Sequence, residues 1–172
     1  MAMTTARRTG RDLLGVYLND HLAGATAGVE LSRRMAASAG PRGAADGTLE
    51  NLAAEIAADR GSLIEIMTRL NIPLRSYKVF AAWAGEKAGR LKLNRRLLTR
   101  SPLSSLEEAE ILRLGVEGKA AGWRTLRVLA ERDNRLDTRV LDELIARAAR
   151  QSAALEDLRA DLAEQLLADD AG

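Results

Sequence analysis

Apolar residues recur at helical spacing in four long stretches of the chain, each carrying a seam of positions three and four apart. The first stretch, 10–37, has Leu14, Tyr17, His21, Gly24, Gly28, Leu31 and Met35 in step. The second, 48–71, reads Leu49, Leu52, Ile56, Asp59, Leu63, Ile66 and Leu70, and stops before Pro73, whose ring disfavours helical geometry at Ile72. The third, 102–132, opens at "SPLSSLEEAE", where Pro102 suits the first helical position behind Ser101, or Ser105 pairs with Glu108 as a capping box. Its seam is Leu112, Val116, Lys119, Trp123, Leu126 and Ala130. The fourth, 137–167, has Asp137 as a cap and a seam of Leu141, Leu144, Ala148, Gln151, Leu155, Leu158 and Leu162.

The connections between the first and second stretches and between the third and fourth are short, which predicts two antiparallel hairpins. The connection between them, 72–101, is long and holds a short helical pattern of its own in "SYKVFAAWAGEKAGRL". The pattern therefore predicts an all-α protein: one four-helix domain over 10–168, running up-down-down-up, with tails at 1–9 and 169–172. Two hairpins joined by one long crossover is the connectivity of ferritin-like bundles.

Composition agrees with an aliphatic helical core, since 47% of residues are hydrophobic but only 3% aromatic. The absence of cysteine excludes disulfides, thiolate nucleophiles and Cys-based metal sites. "MAMTTARRTGRDLLG" has no apolar run of signal-peptide length behind its arginines, and no stretch suits a membrane span. The expectation is a cytoplasmic protein.

Charge is polarised. Arg75, Lys78, Lys87, Arg90, Lys92, Arg95, Arg96 and Arg100 face a single acid, Glu86, in the crossover, whereas the chain beyond Arg100 has ten basic and fifteen acidic residues. The crossover is either a solvated surface or a face for an anionic partner. Tyr77, Phe80 and Trp83 are interleaved there, yet no nucleic-acid motif is present, and "KVFAAWAG" equally suits packing on the bundle or on a second copy.

Each of the later three seams is apolar except near its centre, at Asp59, Lys119 and Gln151. The first stretch offers Asp20 or His21 at the matching height, depending on its rotation. A buried charge is costly unless paired, so these positions read as one central polar layer. The small residues Gly24, Ser62, Gly122 and Ala154 follow the polar positions by three or four, which means either close helix packing or a small cavity beside the layer. His21, the only histidine, reads first as a core or boundary residue hydrogen-bonded to a neighbouring helix, and then as a metal ligand or a base.

With "LAAEIAADRGSLIEIMTRLNI" as a second helix, "GVEGKAAGWRTL" as a third and the long crossover between them, residues 12–167 resemble the ferritin-like superfamily, in particular the YciE-type bacterial stress proteins. Metal-binding members of such families hold two ions with a glutamate from each of two helices and a Glu-x-x-His pair from each of the others. Carried onto this chain, that pattern fails. Asp59 is followed three residues on by Ser62, Lys119 stands in the third seam with Glu117 turned away, and Gln151 is followed by Ala154. A lysine ammonium has no lone pair to give a metal. It can occupy a cation's place and neutralise the remaining carboxylates. The resemblance thus implies a Lys119–Asp59 ion pair, with Gln151 and His21 or Asp20 as partners, in place of the metal centre. The expectation is a bundle without cofactor that acts by binding or assembly, as a homodimer because isologous dimers are the commonest oligomers and the apolar crossover segment offers surface. The alternative is a metal-binding bundle, for iron or manganese storage or oxidation, that uses Asp20, His21, Glu55 and Asp59.

Overall fold

The chain is all-helical in a computed structural model that describes residues 10–38, 47–75 and 102–169. Four helices account for nearly all of them: α1 (Gly10–Ala37), α2 (Thr48–Arg69), α3 (Pro102–Leu129) and α4 (Thr138–Asp169). Among the described residues there are no strands, and no helix is long and apolar enough to cross a membrane. The expected crossover helix lies outside the described residues, as do Lys78, Lys87, Arg90, Lys92, Arg95, Arg96 and Arg100; Arg75 is described and exposed.

The helix ends follow local chemistry. α2 stops two residues earlier than Pro73 alone suggests, because Asn71 adopts a left-handed conformation (φ 53°). The amide of Asn71 then donates to Thr68 O at 3.0 Å and that of Ile72 to Met67 O at 2.9 Å, closing the last turn as a Schellman motif over the buried pair Met67 and Ile72. At the start of α4, Asp137 caps as expected: its Oδ1 accepts the amide of Arg139 at 2.9 Å. α3 begins at Pro102, so Ser105 and Glu108 sit inside the helix rather than forming its cap. α3 ends at Leu129, short of the expected 132, and α4 runs on to Asp169.

Every neighbouring pair of helices is antiparallel, as the cross-contacts between them require. Arg60 Nε of α2 donates to Thr26 of α1 at 2.9 Å, and Ile72 beyond α2 approaches Gly15 near the start of α1. Tyr17 and Thr125 share a hydrogen bond between α1 and α3, while Arg34 reaches Glu108 at 3.4 Å. Arg127 pairs with Asp142 and Arg113 with Glu156 between α3 and α4. The core is aliphatic: Leu18, Met67, Leu112, Leu126, Leu141 and Leu155 are each at most 2% exposed, with Trp123 the one large ring among them.

The seams of α2, α3 and α4 face this core, but α1 is rotated by about one residue from the expected phase. Its buried line is Gly15, Leu18, Leu22, Val29, Ser32 and Met35. Leu14, Tyr17, His21 and Leu31 lie only partly buried on the flank that meets α3. The apolar payload decides the rotation: Leu18, Leu22 and Val29 bury more area than a line broken by Gly24 and Gly28.

Candidate functional site

Asp59, the polar residue in the centre of α2, is 1% exposed and would be prohibitively costly there as an unpaired carboxylate. Three side chains from two other helices meet it. Lys119 Nζ of α3 donates to Oδ2 at 2.5 Å. Arg147 of α4 covers Oδ1 with Nε at 2.7 Å and Nη2 at 2.5 Å. Gln151, one turn further along α4, donates its amide to Oδ2 at 3.2 Å and to Glu55 Oε2 of α2 at 2.9 Å, while its carbonyl accepts from Lys119 Nζ at 2.5 Å.

Glutamine is the residue type this position demands. Its carbonyl end faces the ammonium and its amide end faces two carboxylates, so both halves are satisfied. A glutamate would repel Glu55 and Asp59, and a leucine would leave donors and acceptors unpaired. Two acids and two bases balance, and the charge-assisted contacts offset the cost of removing them from water. Burial outweighs the neighbouring carboxylate for Lys119, so its ammonium is held below the usual lysine pKa, and the nearby Arg147 guanidinium adds to that effect.

The structure thus brings Asp59, Lys119 and Gln151 together and adds two residues outside the predicted set, Arg147 and Glu55 in its present role. Each stands four residues before a seam residue, Glu55 before Asp59 and Arg147 before Gln151, so each shares its face. An acidic pair on α2 opposite a basic and amide pair on an antiparallel α4 was the sequence signal for both.

Asp20 and His21 do not join the layer. Asp20 is exposed, and the rotation of α1 carries His21 to the flank, where its ring packs edge-on against Tyr17 with centroids 4.4 Å apart. The ring lies over Gly122: a β-carbon there would come within 3.2 Å of Cε1 and Nδ1, a contact tight enough that the imidazole would have to shift by a few tenths of an ångström. Ser62 is spent on its own helix, donating to Ala58 O, and Ala154 is half-buried on α4 away from this wall. The cavity that the small residues suggested is instead bounded by Gly24 and Gly122 together with Gly28, Gly115 and Gly118. It lies between α1 and α3 and has a volume of about 500 Å³. Glu55 and Asp59 are engaged with cations and an amide, and no group of three His, Asp or Glu residues suited to a metal occurs among the described residues.

Burial lowers the His21 pKa below 6.5, against a smaller opposing influence of Asp20. The depressed value has a definite sign for stability. Above about pH 6.5 the imidazole is neutral whether the chain is folded or unfolded, and nothing is lost. As pH falls through that value toward the folded pKa, the unfolded chain binds the proton first and stability declines. With one histidine in the chain, a single imidazole proton resonance reports the titration. We expect its midpoint below 6.5 and a smaller acid loss of stability in His21→Gln; a midpoint at or above 6.5 contradicts the burial.

The chain matches no family model, no curated protein and no solved structure.

Proposed function

We propose that this protein is a ferritin-like bundle in which ion pairs do the work that two metal ions do in related architectures, and that it acts by binding and assembly rather than by redox chemistry. One observation carries the reading: both oxygens of the central carboxylate are already taken by cations, Oδ2 by Lys119 and Oδ1 by Arg147. A divalent ion at Asp59 would meet an ammonium and a guanidinium at closest range, and its candidate partners do not converge. Glu55 is held by Gln151, Asp20 is exposed, and His21 packs on Tyr17 along the flank of α1 that meets α3.

The up-down-down-up connectivity is supported by the antiparallel sense of each neighbouring pair, which makes α2 and α3 parallel and calls for a crossover along the bundle. Assembly as a homodimer is supported by the outer side of α3, where Leu114 is 72% and Val128 66% exposed.

Protein purified from medium supplied with iron and manganese tests the reading. After dialysis, elemental analysis is expected to find far less than one ion per chain, and sedimentation is expected to find a species heavier than the 18.6 kDa monomer. Stoichiometric metal that is lost on Asp59→Asn substitution overturns the first claim, and a monomer at all concentrations overturns the second.

A further inference from the structure

Beyond α2 the chain is tied to α1. The amide of Arg75 donates to Asn19 Oδ1 at 2.7 Å, the side-chain amide of Asn19 donates to Pro73 O at 3.2 Å, and Arg11 donates to Asn71 O at 3.1 Å. Asn19 stands next to Asp20, which lines the cavity between α1 and α3. The chain is next described at Pro102, toward the other end of the bundle, because Glu108 of α3 pairs with Arg34 near the end of α1. Residues 76–101 must therefore carry the chain in the direction of α1, from a starting point beside the cavity. At the helical rise of about 1.5 Å per residue they reach about 39 Å, against a path of about 30 Å from the level of Asn19 to that of Pro102. The segment covers that path with residues to spare.

The cavity is open and apolar along this route. Gly24 and Ala27 of α1 line it and are exposed, as are Ile111, Gly115 and Gly118 of α3, over a floor that includes Leu18 and Val116. The contacts Tyr17–Thr125 and Arg34–Glu108 set the antiparallel register, with Gly24 level with Gly118 and Ala27 level with Gly115. A helix that runs beside α1 keeps step with it, since both rise equally per residue. With Arg75 beside Asn19, Phe80 then stands level with Gly24 and Gly118, and Trp83 level with Ala27 and Gly115. Rings of this size gain much from leaving water, and this is the stretch of the crossover with helical spacing. Charge agrees with the placement. Asp20 is the exposed charge of the wall, Lys119 is paired with Asp59, and the segment from Arg75 to Arg100 has eight cations against one acid.

We propose that segment 77–84 of this chain docks in the cavity, with Phe80 and Trp83 seated between α1 and α3. The hollow is a socket for the protein's own crossover, and the basic residues that follow are held on the α1–α3 face. The socket does not rest on the polar-layer reading, and Leu114 and Val128, the residues offered for the dimer, are not in its wall.

The chain has no cysteine, so introduced pairs report proximity directly. Ala27→Cys/Ala84→Cys and Gly115→Cys/Ala84→Cys approach the socket from its two helices and keep both aromatic rings. Ala58→Cys/Ala84→Cys is the control, on an exposed position of α2 that the Arg60–Thr26 contact sets level with Gly28. A disulfide requires α-carbons within about 7 Å, so under mild oxidation of dilute full-length protein the two socket pairs are expected to close within one chain at least about tenfold faster than the control. Non-reducing electrophoresis and the mass of the intact chain read the closure. Phe80→Ser/Trp83→Ser, added to the first pair, is expected to remove that advantage, and so is Gly24→Leu, whose side chain takes the place of Phe80. A β-carbon at Gly24 meets nothing within 4 Å among the described residues, so this second variant leaves the core undisturbed. Equal or faster closure of the control, or closure undiminished in both blocked variants, overturns the proposal. So do links that form only between chains and rise with protein concentration, because a second copy then fills the socket. Metal content and dimer mass enter none of these readouts, so failure here and failure of the proposed function are told apart.

Discussion

Asp59→Asn is expected to lose about 3–5 kcal/mol of stability, the range for breaking a buried ion pair by removing one partner. The substitution keeps the volume and shape of the side chain, so no cavity forms and the loss is electrostatic. It leaves Lys119, with its side chain 12% exposed, and Arg147, at 29%, facing each other across a neutral amide. Arg147 can turn outward to water, whereas Lys119, the more deeply buried of the two, either remains charged without its carboxylate or gives up its proton. For a chain of this length each kcal/mol corresponds to roughly 2–4 °C in the unfolding midpoint, so a fall of about 10 °C is the central expectation. Asp59→Asn/Lys119→Met separates the two sources of loss. Removing the stranded ammonium is expected to restore part of the midpoint, because a buried pair replaced by apolar groups costs far less than a buried charge left alone. A single variant within about 1 kcal/mol of wild type, measured by urea unfolding at pH 7, rules out the pair as a buried one.

The second large effect concerns apolar packing one turn of α4 beyond Gln151. Leu155 of α4 is fully buried, and Leu155→Ala is expected to cost about 2–5 kcal/mol, the sum of lost transfer free energy and the cavity left behind. Leu155→Met, which nearly preserves volume, is expected to cost less than about 1.5 kcal/mol at the same place. The pair of variants distinguishes a packed aliphatic core from one loose enough to close over a missing side chain: equal, small losses in both argue for the loose core. Comparison with Asp59→Asn also ranks the two sources of order in this bundle, because one variant removes volume without charge and the other removes charge without volume.

The regular parts of the fold were legible because a helix exposes its period directly. Positions such as Leu52, Ile56 and Leu63, or Leu141, Leu144 and Leu155, carry enough area to mark one face without ambiguity. Against such seams a single Asp59, Lys119 or Gln151 stands out, and that contrast made the centre of the polar layer readable from residue order. α1 was harder for a physical reason. Ala23, Gly24, Ala25, Ala27 and Gly28 place small residues on several sides, so two rotations one residue apart look alike until the partner helices choose between them. The choice moved His21 from the interior to the flank and put Leu18 and Leu22 in the core.

Residue order by itself determined four amphipathic helices, the cap at Asp137 and the three polar residues that meet in the middle, because each is a local property of spacing or side-chain chemistry. The tertiary structure alone decided which way α1 turns, how the side chains of Arg147 and Glu55 meet the polar layer to complete its charge balance, and that five glycines line one open volume. Those outcomes depend on the distance between helices and on how far a long side chain extends across it, quantities that no single helix contains.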